Sequence, residues 1–126
     1  MLYSILIFGD DETFGQLSAA EQDAAMVKHT GLQKILSDAS IMGPVAKLHN
    51  SSTAVTVRAQ DGVALVTDGP FAETKEQLLG FYTMECASME EAIEIAKQLP
   101  LGIATLEIRP VEWFHGGVLS PAANGE

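Results

Sequence analysis

Residues 2–8 read Leu-Tyr-Ser-Ile-Leu-Ile-Phe and are apolar at nearly every position. A strand with this composition carries apolar side chains on both of its alternating faces. Strands of this kind are covered on both sides by other parts of a protein. A chain of 126 residues forms one domain with a core of its own. The two covering layers must therefore come from the other elements of this domain or from a second copy of the chain.

Two short patterns predict where helices begin. Ser18 and Glu21, and later Ser88 and Glu91, have the spacing of a capping box, in which serine and glutamate bond to free amides of the first turn. The first helix is predicted to end at about Asp38, and the second is stopped by a proline and a glycine at positions 100 and 102. Helical spacing predicts core-facing residues, which are Ala25, Leu32, Ile35, Leu36 and Ala39 in the first helix and Ala92, Ile93, Ala96 and Leu99 in the second.

Extended patterns separate and follow these helices. The residue pair Gly43-Pro44 predicts an irregular edge strand, because proline cannot donate a hydrogen bond into a central strand pair. Asp61-Gly62 predicts the turn of a hairpin between two runs rich in valine and threonine. The predicted strands after the first are residues 41–48, 53–58, 63–67, 78–86 and 105–111.

This order of elements predicts a ferredoxin-like α+β sandwich, in which an antiparallel sheet carries two main helices on one face. The other face of the sheet would expose a large apolar patch. Pairing of two such sheets in a homodimer would cover that face. We expect one domain over residues 1–114, followed by a flexible or partner-clasping tail over residues 115–126.

Charge and composition exclude several function classes. The net charge is −10 and only seven residues are lysine or arginine, which argues against direct binding to nucleic acid or to an anionic membrane. No apolar run is long enough to span a membrane, and no signal peptide is recognised, so we expect a cytoplasmic protein. Cys86 is the single cysteine and is predicted to be a packed core thiol. Three scattered histidines show no metal-ligand spacing, so no metal and no cofactor are predicted.

The loop at residues 68–77 has the sequence Asp-Gly-Pro-Phe-Ala-Glu-Thr-Lys-Glu-Gln. Glycine and proline restrict this backbone to a defined turn, and Asp68 stands at the end of a predicted strand. Such a loop can hold a reactive or ligand-binding carboxylate in one position. The same residues also suit a simple turn in which the carboxylate bonds to nearby backbone, and the residues alone leave both interpretations open.

The sequence of residues 66–76, Val-Thr-Asp-Gly-Pro-Phe-Ala-Glu-Thr-Lys-Glu, followed by Gly-Phe-Tyr at residues 80–82, resembles the signature of the DGPF-domain branch of YCII-related proteins. The opening strand, the helix histidine, Gly43-Pro44 and the closing strand at residues 107–111 are similar as well. The resemblance runs from residue 1 to about residue 114. It implies a dimeric α+β barrel and a homodimer, and it implies an association with alternative sigma factors. Enzymes of the wider superfamily act on compact aromatic or lactone substrates.

The resemblance also implies a pair formed by a helix histidine and a loop aspartate, which correspond here to His29 and Asp68. A histidine held by a carboxylate acts as a general acid or base near neutral pH. Two other arrangements stay open, in which Asp68 is structural and His29 acts alone, or His29 only borders the core. His49 and His115 are expected to be exposed.

Two functions follow from these observations. The first is a cofactor-independent enzyme that acts on a small molecule by proton transfer or elimination, with His29 as acid or base and Asp68 orienting it. The second is a non-catalytic module that binds a metabolite or a sigma factor, in which the Asp68 loop is a structural corner or a docking surface.

Overall fold

A computed structural model describes residues 1–119 of the chain. The predicted tail lies mostly outside the described residues. One turn of 3₁₀ helix, at Ser51–Thr53, precedes the hairpin. Within the described part, the elements in chain order are β1 (Leu2–Gly9), α1 (Thr13–Gln16), α2 (Ala19–Asp38), β2 (Met42–Lys47), β3 (Val55–Gln60), β4 (Val63–Asp68), β5 (Gln77–Glu85), α3 (Met89–Ala96) and β6 (Thr105–Pro110).

Four of these strands form one antiparallel sheet in the order β2-β5-β1-β6. The chain passes from β1 through α2 to β2, and from β5 through α3 to β6. In each of these units a central strand of the sheet lies between the two strands that the helix connects. This is the split βαβ arrangement of ferredoxin-like folds. The predicted ferredoxin-like α+β fold is therefore confirmed.

Both long helices begin at the predicted serines. Ser18 accepts a hydrogen bond from the amide of Glu21, and the Glu21 side chain accepts one from the Ser18 amide, which completes the capping box. This bonding with Ser18 lowers the pKa of Glu21. At α3, Ser88 Oγ accepts from the amide of Glu91 in the same way. No helix in residues 1–119 is long and apolar enough to cross a membrane.

The predicted core-facing residues of the helices are mostly correct, with three exceptions, of which the first is Ala39, an exposed residue just beyond the end of α2. In α2, Leu32 and Leu36 are buried, but Ile35 is 56% exposed. In α3, Ile95 is buried and Ile93 is 39% exposed. Helical spacing allowed either isoleucine of α3 to face the sheet, and the direction from which the helix approaches the sheet decided between them.

The core lies between the helices and one face of the sheet. Tyr3 and Ile5 of β1 point to this face, as do Tyr82 and Met84 of β5. The alternate residues of β1 and β5 lie on the opposite face, where Leu6 and its cross-strand partner Phe81 are half-buried. The largest fully buried side chains are Tyr82, Ile5, Leu32, Leu36, Met84 and Leu99.

The edge strand β2 is irregular, as its Gly-Pro pair predicts. Its register against β5 shifts between Met42 and Val45. At the other end of this strand pair the two backbones approach closely, since a Cβ added to Gly80 would lie 2.5 Å from the carbonyl oxygen of Ala46. Glycine at position 80 therefore permits β2 to pair with the sheet.

Strands β3 and β4 form a separate two-stranded sheet, which we call the hairpin (Val55–Gln60 and Val63–Asp68). The turn between them is the predicted Asp61-Gly62 pair, and both residues have positive φ, 51° and 78°. Turns of this type match the twist of a hairpin. Every residue of β4 is exposed, although the strand is rich in valine and leucine.

Candidate functional site

His29, Gln33 and Tyr82 form a group of three polar side chains between α2 and the sheet. His29 Nδ1 and the Tyr82 hydroxyl oxygen are 2.9 Å apart, and Gln33 Nε2 donates a hydrogen bond to the same oxygen over 3.1 Å. The rings of His29 and Tyr82 stack, with centroids 6.0 Å apart and planes inclined by 15°. The helix supplies His29 and Gln33 four residues apart, so both side chains leave the same face of α2.

Burial shifts the ionisation of two members of this group. It lowers the pKa of His29 from its ordinary value of 6.5, and the positive charge of Lys47 lowers it further. It also raises the pKa of Tyr82 above its ordinary value, although the hydrogen bond from Gln33 opposes this shift. Both changes disfavour the charged form. At neutral pH the site therefore contains a neutral imidazole bonded to a neutral phenol.

These three side chains line a cavity of ≈ 420 Å³ between α2 and the sheet. A volume of this size accommodates a small organic molecule. Most of the wall is apolar, and the polar side chains other than the group of three come from loops and from the end of β2. The apolar wall includes Ile7, Ala25, Met26, Val45, Leu79, Leu99, Ile103 and Leu106, and the other polar residues are Asp10, Asp11, Lys47, His49 and Asn50.

Asp68 lies in a neighbouring depression rather than in this cavity. The depression is lined by acidic and small residues, and it shares Asp10, Asp11 and Asn50 with the cavity. Its loop has a defined conformation, because the amide of Gly69 donates to the carbonyl of Ala54 over 2.7 Å. The remaining lining residues are Glu12, Ser51, Ser52, Gly69, Pro70 and Glu73.

Asp11 lines both the cavity and the neighbouring depression. Its carboxylate accepts hydrogen bonds from the amide of Ser51, over 3.0 Å, and from the Ser51 hydroxyl. Asp10 accepts a bond from the amide of Glu12 over 2.9 Å. The turn that follows β1 is therefore held against the turn that precedes the hairpin, and the two aspartates stand at the shared edge.

The structure brings His29 to a cavity but gives it a partner that the sequence analysis did not name. Among the hydrogen bonds of residues 1–119, none joins His29 to Asp68, and the bonded partner of His29 is Tyr82. The signal for Gln33 was present in its four-residue spacing from His29. The sequence contains no comparable signal for Tyr82. The alternation of side chains along β5 places Tyr82 on the core face, but it does not show which residue of the helix Tyr82 contacts.

The other chemically reactive side chains support no separate site. His49 is exposed and lines the cavity through its loop, and His115 accepts a hydrogen bond from the amide of Gly117. Cys86 is buried, and burial raises the pKa of its thiol, with smaller contributions from Glu91 and Glu85. Residues 1–119 contain no group of histidine, cysteine and carboxylate side chains arranged to hold a metal ion.

Comparison with known proteins identifies relatives over nearly the whole chain. The sequence profile of the YCII-related domain matches residues 1–115. An uncharacterised protein of Rhizobium meliloti (strain 1021) is 38% identical over 122 residues, which cover 94% of this chain and 98% of that protein. The match to the family profile includes the first strand, the helix that carries His29 and the loop that follows Asp68.

Proposed function

This chain belongs to the YCII-related family, and we propose that it is a cofactor-independent enzyme that carries out proton transfer or elimination on a small substrate. The observation that carries the proposal is the half-buried His29, hydrogen-bonded to Tyr82 in a mostly apolar cavity of ≈ 420 Å³. Polar groups that converge in an apolar cavity are the usual arrangement of a small-molecule site.

In this proposal His29 is the acid/base residue and a carboxylate is its counterpart. Its lowered pKa keeps the imidazole neutral at physiological pH, so that it can exchange a proton or hydrogen-bond to a reacting oxygen. Asp68 is the counterpart implied by the family resemblance. Because it lies across the shared edge from His29, we propose that it acts on the substrate from the neighbouring depression, without a direct bond to His29.

The experiment compares the wild type with His29→Gln on five-membered unsaturated lactones, starting with α-angelica lactone. Migration of the double bond in this lactone requires proton transfer and no cofactor, and the ultraviolet absorbance of the conjugated isomer reports it. Loss of one general acid or base should reduce the rate by about a hundredfold to ten-thousandfold. Asp68→Asn should give a smaller loss.

The control is Lys34→Gln, which removes an exposed charge from the same helix, outside the residues that line the cavity. It should keep the wild-type rate. Equal rates for the wild type and His29→Gln on these lactones would contradict the proposed role of His29. Circular dichroism should show the same helix content in all the variants.

We also propose that the protein forms a homodimer through the sheet face opposite the helices. Leu6 and Phe81 are cross-strand partners on that face, and Phe81 also pairs with Ala46 on β2. Analytical ultracentrifugation should give twice the mass of one chain. Phe81→Asp should give a monomer, and a monomeric wild type would contradict the proposal.

The exposed hairpin favours a second function, in which the protein is a regulatory module that binds an alternative sigma factor. Val57 and Val63 of the hairpin are 65% and 68% exposed, and Phe71 in the following loop is 81% exposed. In this case Val57→Lys and Phe71→Ala should abolish complex formation with a sigma factor of the same organism, while His29→Gln should not. Binding that survives both surface substitutions would exclude this role for the hairpin.

A further inference from the structure

We infer that Gln33 and Tyr82 are positioning residues that hold neutral His29 in the tautomer with its proton on Nε2, so that the cavity receives a ligand with a hydrogen-bond-accepting oxygen. This inference rests on the proposed function and specifies the part that His29 plays in it. It follows from which of the three side chains donates and which accepts in each of the two hydrogen bonds.

Tyr82 is the middle member of the chain of hydrogen bonds. Its side chain is 1% exposed, and its hydroxyl group has one hydrogen to donate and lone pairs to accept with. Gln33 Nε2 is an amide nitrogen, which donates and does not accept, so the bond of 3.1 Å runs from Gln33 to Tyr82. The hydroxyl hydrogen must then go to the other bonded atom, His29 Nδ1, at 2.9 Å.

An imidazole that accepts at Nδ1 and is neutral carries its proton on Nε2. Its pKa is lowered, so the neutral form is the one present at physiological pH. The ring lines the cavity, and among residues 1–119 no partner is bonded to Nε2. His29 therefore offers an N–H donor to the cavity. A glutamine amide in the opposite orientation would reverse both bonds and leave a basic nitrogen there instead.

This donor defines the chemistry of the ligand. An N–H group stabilises an oxygen that becomes negative during a reaction, and a neutral imidazole is suited to polarise a carbonyl group. Lys47 also lines the cavity and forms no ion pair among the described residues. Its positive charge favours an anionic oxygen. We assign the ligand to small, mostly apolar carbonyl compounds and carboxylates.

The proton inventory of the reaction is then complete. A carboxylate at the shared edge takes a proton from carbon, and the electron pair moves to the carbonyl oxygen. His29 acts as the general acid and shares its Nε2 proton with that oxygen, which becomes an enolate. The same carboxylate returns the proton at another carbon, so the product is an isomer of the substrate. Asp68 in the depression is the proposed carboxylate, and Asp10, which lines both the cavity and the depression, is its alternative.

The test reads the tautomer directly. In protein labelled with ¹⁵N-histidine, long-range ¹H–¹⁵N spectra distinguish the protonated ring nitrogen from the unprotonated one. The spectrum of His29→Gln identifies the signals of His29 among the three histidines. Above the His29 pKa, the wild type should carry the proton on Nε2. A wild-type proton on Nδ1 would overturn the inference.

Gln33→Glu is the decisive variant, because a carboxylate accepts hydrogen bonds and does not donate them. Tyr82 should then donate to Glu at position 33, and His29 should donate from Nδ1, which reverses the tautomer. Tyr82→Phe should leave a mixture of the two tautomers. Gln22→Glu is the control, because it makes the same substitution in α2 at a residue that bonds to Leu17 instead of Tyr82. It should leave the tautomer of His29 unchanged. A tautomer that is unaffected by Gln33→Glu would contradict the positioning role.

Benzoate is the probe for the ligand class. Its titration should move the Nε2–H signal of His29, and Lys47→Gln should weaken binding by up to about fivefold, as expected for an exposed charge. If benzoate leaves that signal unmoved, the ligand class is wrong. These measurements need no turnover, so they test the inference separately from the proposed function. A wrong tautomer with a lactone reaction that depends on His29 would overturn the inference alone. The inferred tautomer without any lactone reaction would contradict the proposed function alone.

Discussion

The four-stranded sheet and the hairpin are both rich in β-branched and aliphatic residues, yet only the sheet is buried. In the sheet, Ile5 and Met84 are 0% exposed because α2 and α3 cover them. In the hairpin, Val63 and Val66 are 68% and 63% exposed, because no helix of residues 1–119 covers them. Composition therefore predicts that a segment forms a strand, and the covering layer decides whether that strand belongs to the core.

The two regions also divide the candidate site between them. The buried region holds His29 against Tyr82, while the hairpin ends at the exposed carboxylate of Asp68. Loss of water shifts the pKa of His29 and of Tyr82 toward the neutral form. Substitutions in the two regions should therefore differ in their effects on the free energy of unfolding and on the pKa of His29.

The largest difference should come from truncated side chains. Leu36→Ala should lower the free energy of unfolding by about 2–5 kcal/mol, because Leu36 is 1% exposed and the substitution leaves a cavity in the core. Val63→Ala in the hairpin should change it by less than about 0.5 kcal/mol. Urea unfolding measures both. A large loss for Val63→Ala would show that a partner covers the hairpin in solution.

Backbone glycines provide a second comparison. Gly80→Ala should destabilise the protein by about 3 kcal/mol, because the new Cβ would lie 2.5 Å from the carbonyl oxygen of Ala46. Gly62→Ala should cost about 1 kcal/mol, since its positive φ is strained for alanine although the surrounding space is open. If thermal unfolding ranks the two variants in the opposite order, β2 is not held against β5 as described.

The pH dependence of stability should identify His29 as a buried titrating group. Its folded pKa lies below 6.5, so between the two values the unfolded chain binds more protons. The stabilisation from neutral His29 is therefore present above pH 6.5 and is lost as the pH falls through the folded pKa. Urea unfolding of the wild type and of His29→Gln should diverge in this window. Parallel pH profiles would contradict the burial of His29.

The smallest effects concern the pKa of His29 itself. Lys47→Gln should raise it, because the positive charge of Lys47 is one of the two causes that lower it. Added salt should reduce this difference, since Lys47 is exposed. Asp68→Asn should leave the pKa of His29 unchanged. A clear fall in an NMR titration of Asp68→Asn would show instead that Asp68 and His29 interact directly.

Much of the fold could be predicted from local patterns. The capping box at Ser18, the serine cap at Ser88, the Gly-Pro edge strand and the Asp61-Gly62 turn each depend on residues that are close in sequence, and all four occur where they were predicted. The second capping box is only half formed, because the Glu91 side chain accepts from the amide of Ala87 instead of that of Ser88. The short helix α1 was not predicted, because four residues provide no periodicity. The exposure of Ile35 was also missed, because the angle between α2 and the sheet is not encoded in one helix.

Less of the candidate site than of the fold could be predicted from the sequence. His29 was singled out from its place on the helix and from the family resemblance, but its contact with Tyr82 spans 53 residues of the chain. Asp68 was singled out from its turn, and the turn is present. No local pattern states which aspartate of the chain shares a cavity with His29. That depends on how the turn after β1 meets the turn before the hairpin.

The sequence by itself determined the six strands, the starts of the two main helices, the turns and the family, because these depend on neighbouring residues and on a long specific match. Only the tertiary structure decided that Tyr82 bonds to His29 and that Asp10 and Asp11 line both the cavity and the depression that contains Asp68. It also decided that the valines of the hairpin are exposed within residues 1–119. The physical reason is that each of these facts requires distant segments to be packed in one arrangement. The directions of hydrogen bonds and the loss of water at His29 exist only after that packing is complete.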